Sequence, residues 1–91
     1  MKKLTNHFYM VSLDLLSGSG ADDLHQELSD AQLKQEEYFK YLQDEQLQGF
    51  VTIYKYELTD QQLEELDYDI ELFFDNLPDE SIIVSKRSFL N

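Results

Sequence analysis

HFYMVSLDLL, residues 7–16, decides the fold. The run is rich in aromatic and apolar β-formers and reads as a strand. Alternation places Tyr9, Val11, Leu13 and Leu15 on one face, and Phe8, Met10, Ser12 and Asp14 on the other. Ser17-Gly18-Ser19-Gly20 then breaks the strand as a flexible turn. Two later runs have the same character: GFVTIYKYEL at residues 49–58, and SIIVSKRSF at residues 81–89.

Helical spacing fills the intervals. Over residues 21–47, Leu24, Leu28, Ala31, Gln35, Tyr38 and Leu42 fall at alternating steps of four and three, one face of a helix. Ser29, Gln32, Leu28 and Leu33 also fit a capping box with its staple, so the region reads as one long helix or as two joined near Ser29. The pattern over residues 59–77 is cleaner. Thr59 caps, Gln62 closes the box, and Leu58 staples onto Leu63. Leu63, Leu66, Ile70, Phe73, Phe74 and Leu77 form the apolar stripe, and Pro78 ends the helix. The two capped segments, LSDAQL and LTDQQL, resemble each other. Good caps converge for physical reasons, and coincidence is the simpler account.

The expected fold is therefore a single α/β (α+β) domain over residues 1–91, ordered β-α-β-α-β. Its three-stranded sheet carries both helices on one face, as a two-layer sandwich. The uncovered face would carry aromatics such as Tyr54 and Tyr56.

Charge narrows the function. There are 19 acids against 7 bases, a net charge of −12, which repels nucleic acid and anionic membranes. With no cysteine, thiol chemistry and thiolate metal sites are excluded, and a reducing compartment is favoured. Lys2 and Lys3 start the chain as a signal peptide would, but Asn6, His7, Ser12 and Asp14 interrupt any apolar core, and the expected location is cytoplasmic. From Glu57 to Glu80 there are ten acids and no base. Asp60, Glu64, Asp67, Glu71 and Asp75 fall at steps of four, three, four and four, which on one helix makes a line of carboxylates beside Tyr68 and Leu72. Four like-charge steps cost about 1–2 kcal/mol of helix stability. At a rise of about 1.5 Å per residue the line spans roughly 22 Å.

A line of that kind points to a basic protein as partner, most concretely a nucleic-acid-binding enzyme inhibited by a nucleic-acid mimic of phage or mobile-element type. A solvated acidic face is the plainer reading. Self-association as a homodimer through the aromatic sheet face is the alternative. Ser17-Gly18-Ser19-Gly20 lacks a phosphate-binding lysine and is followed by Asp22 and Asp23. Leu72 stands where a calcium loop over residues 67–71 would need glycine. His7 and His25 are the only imidazoles, and no nucleophile motif is present. A small enzyme using surface carboxylates is the third and least favoured reading, with no motif behind it, and no catalytic residue, metal or cofactor is expected.

Overall fold

A computed structural model describes residues 3–90. The fold is α+β: β1 (His7–Leu15), β2 (Gly20–His25), α1 (Leu28–Glu45), β3 (Gly49–Glu57), α2 (Asp60–Glu65), α3 (Ile70–Asp75) and β4 (Ile82–Phe89). The sheet has four strands in the order β2-β1-β3-β4, every neighbouring pair antiparallel.

Three expectations are corrected. First, residues 20–25 are a strand, so the sheet has four strands and the order is not β-α-β-α-β. The Ser-Gly-Ser-Gly segment closes a β1–β2 hairpin, with Leu15 N–H donating to the Ser19 carbonyl at 2.8 Å and Gly18 at φ +102°. A side chain on Gly20 would run into the Leu13 carbonyl, so only glycine lets β2 close against β1. The two aspartates that make β2 unlike a strand are each held from the side. Ser12 Oγ donates to Asp22 at 2.6 Å, and the Tyr38 hydroxyl donates to Asp23 at 2.5 Å. Tertiary partners override weak local β propensity here.

Second, α1 begins at Leu28, behind Glu27 as an N-cap without a side-chain cap bond. Ser29 does not cap it. The helix buries Ala31, Gln35 and Leu42, three residues of the expected stripe. Gln35 is a buried amide with its needs met, since Nε2 donates to the Val51 carbonyl at 3.0 Å.

Third, the helices lie on both faces of the sheet. β1 alternates between two cores. Val11 and Leu13 join Val51, Ile53, Ala31 and Leu42 beneath α1. Phe8 and Met10 join Tyr56, Leu58, Leu63 and Phe73 beneath α2 and α3. Phe73 closes the second core, edge-on to Phe8 at 5.0 Å and to Tyr56 at 5.1 Å. No helix among the described residues is long and apolar enough to cross a membrane.

Two measurements test this architecture. Phe73→Ala should cost about 3–5 kcal/mol in urea unfolding, whereas Leu72→Ala, at an exposed neighbouring position, should stay within about 0.5 kcal/mol. The Tyr38 phenol is pushed above its ordinary pKa of 10.0, chiefly by burial and then by its hydrogen bond to Asp23. Its stabilising contribution is complete below pH 10.0 and falls as pH rises above that value. Wild type should therefore lose stability more steeply than Tyr38→Phe in alkaline thermal melts.

Candidate functional site

The acidic segment does not form one helix. α2 starts under a complete capping box from Thr59 and Gln62, as its spacing predicts, but stops after Glu65. Asp67 and Tyr68 both adopt φ +53°, a left-handed conformation that costs a residue bearing Cβ about 1 kcal/mol or more. Tyr68 N–H donates to the Leu63 carbonyl at 3.0 Å and closes the helix end. Asp69 then caps α3, its Oδ1 accepting from Glu71 N–H at 2.8 Å.

Two features account for the break. Aspartates 67 and 69 favour turns and caps over helix interiors. Bending also lets Leu63 of α2 and Phe73 of α3 reach the same core. The Tyr68 carbonyl accepts from Leu4 N–H at 3.3 Å, which ties the bend to the N-terminal segment.

The straight line of five carboxylates is thus overturned as geometry. Asp60 and Glu64 stay one turn apart on α2, and Glu71 and Asp75 one turn apart on α3, with Asp67 and Tyr68 in the turn between them. Only two like-charge steps remain within helices, so the repulsive cost falls to about 0.4–1 kcal/mol. All seven residues of the site, Leu72 included, are exposed.

Their electrostatics are simple. Asp60 accepts from Asn6 Nδ2 at 3.0 Å. Among the described residues, Glu64, Asp67, Glu71, Asp75, Asp79 and Glu80 have neither an ion pair nor a side-chain hydrogen bond. Three of the bases are engaged elsewhere: Lys34 with Asp23 and Glu37, Lys55 with Glu57, Arg87 with Glu36. Glu37 and Asp23 hold the Lys34 ammonium pKa above its ordinary value. Asp75 closes α3 with no base in its last turn, an unfavourable end for an acid.

The aromatic sheet face is not open. Tyr56 is 4% exposed beneath Phe73, and Tyr54 is half-buried beside it. Self-association through those two tyrosines loses its anchor.

Two surface features escaped sequence reasoning. One is an open cleft of about 490 Å³ between the β1–β2 hairpin and the segment after α3, lined by Ser12, Asp14, Asp22, Tyr54, Pro78 and Asp79. It exists because β2 is a strand, and no spacing in the sequence signals it. The other is the start of β4, where Ile82 and Ile83 are 60% and 59% exposed. Among the described residues no group of three histidine or acidic side chains is placed to hold a metal ion. No family model matches the chain, and no curated protein or solved structure matches it.

Asp67→Gly tests the turn. Glycine adopts a positive φ without steric cost. The variant should gain up to about 1 kcal/mol in urea unfolding; a loss would mean that the aspartate side chain itself holds the bend.

Proposed function

We propose that this protein is a non-catalytic binding protein that engages a basic surface of another protein through the acidic α2–α3 layer, most concretely as a nucleic-acid mimic. The observation that carries this reading is the set of six exposed carboxylates from Glu64 to Glu80 without a partner among the described residues. Charges left in this state repel each other and contribute nothing to the fold. A basic partner would relieve that repulsion and release counterions, as it does on binding a phosphate backbone.

Tyr68 and Leu72 support the reading. They are 40% and 39% exposed within the acidic layer, and an aromatic with an aliphatic neighbour is a common anchor for an otherwise polar interface. The bend changes the form of the mimicry. Charge is displayed on two short helices and a turn, so a concave basic groove suits it better than a long straight one.

The test is a variant carrying Glu64→Gln, Asp67→Asn, Glu71→Gln and Asp75→Asn. It should fold with equal or slightly greater stability, since two like-charge steps are removed. Wild type should capture a nucleic-acid-binding protein in competition with DNA or RNA, with affinity falling as salt rises, and the variant should not. Capture of the same protein by both, with the same salt dependence, would sink the proposal.

A further inference from the structure

The two edges of the sheet are defended differently. β2 carries Asp22 and Asp23, and charged side chains discourage a further strand from adding to an edge. β4 starts Ile82-Ile83-Val84, with no charge before Lys86. These three residues are 60%, 59% and 40% exposed, although they are strand. Ile83 lies opposite Tyr54 and Ile82 opposite Lys55, so the two isoleucines project to opposite faces, and neither helix layer covers them. Among the described residues β4 ends the sheet, so its outward N–H and C=O groups have no ladder partner there.

The sequence around this edge is complementary to itself in one orientation. Set antiparallel to a second copy with Ile83 opposite Ile83, Ile82 faces Val84 and Ser81 faces Ser85. Outside that apolar centre, Glu80 faces Lys86 and Asp79 faces Arg87, each contact occurring twice by symmetry. A parallel arrangement would instead set like charges against each other. The charges are also available. Among the described residues Lys86 has no carboxylate partner, its ammonium lying 4.6 Å from the Phe50 ring, and Glu80 and Asp79 have no cation. Arg87 already pairs with Glu36, so Asp79 of the second copy would join an existing pair.

We infer that the β4 edge is a homodimer interface, in which two copies pair antiparallel about Ile83 and join their sheets. The register shift that leaves Val84 without a β3 partner twists the strand locally and confines the pairing to residues 81–85 and the flanking charges. So short an interface lies at the small end of specific contacts, and the dimer is reversible. It shares Asp79 and Glu80 with the acidic segment but uses none of Glu64, Asp67, Glu71 and Asp75, and it is read by self-association alone, so its failure and that of the acidic-layer reading are separable.

The test is sedimentation equilibrium over a range of concentrations, with thermal melts confirming that each variant is folded. Wild type should form a dimer. Ile83→Lys, a change at an exposed position, places like charges opposite each other and should weaken dimerisation at least about tenfold. Glu80→Lys alone and Lys86→Glu alone should each weaken it about tenfold, because each sets like charges opposite at two symmetric contacts. Combining the two exchanges the signs and should restore the wild-type constant. A wild type that stays monomeric, or a double variant as weak as the singles, overturns the interface.

Discussion

β1 is a strand with no solvent face along most of its length, and the other elements are arranged to satisfy it. Phe8, Met10, Val11 and Leu13 are all buried, and they alternate between two cores. A strand that is apolar on both sides needs neighbours at both edges and cover on both faces. β2 and β3 supply the edges, α1 one face, and α2 with α3 the other. Close pairing along β1 explains two of the three glycines. Gly20 and Gly49 lie opposite Asp14 and Leu15, where any Cβ would meet the β1 backbone.

The parts of the fold legible in the sequence are those where local chemistry and tertiary need agree. β1, β3 and β4 follow their aromatic and β-branched runs to within a residue or so. The Thr59–Gln62 box is present as read. Gln35 and Leu42 sit inside, as their spacing requires. The parts that were hidden are those where distant residues decide. Asp22 and Asp23 belong in a strand only because Ser12, Tyr38 and Lys34 meet their carboxylates. Leu24 fell on the helical stripe by spacing, yet it packs with the core beneath α2 and α3. For the site, the residues named from sequence are all on the surface, but their alignment is not there. The apolar stripe from Leu63 to Phe73 is continuous on paper, and no periodicity reveals two left-handed residues at its middle.

Charge and fold are separated across the molecule. Five of the bases, Lys34, Lys40, Lys55, Lys86 and Arg87, lie in α1 and the strands, where four carboxylates pair with three of them. The segment from Asp60 to Glu80 has none. Salt screens exposed charges, so its cost to folding is small under physiological conditions. The segment nonetheless presents a concentrated negative field to anything approaching that side.

The division of the interior by the sheet has a dynamic consequence. α2 and α3 are six residues each, far below the length at which a helix in water sustains itself. They are fastened through Leu63 and Phe73, while α1 rests on a separate core across the sheet. Two cores joined only through the shared sheet should behave as two units, the α2–α3 side opening more readily than the α1 side. Amides in α2 and α3 exchange with solvent through openings that leave α1 and the central strands closed, and uniform exchange protection across both layers would contradict this.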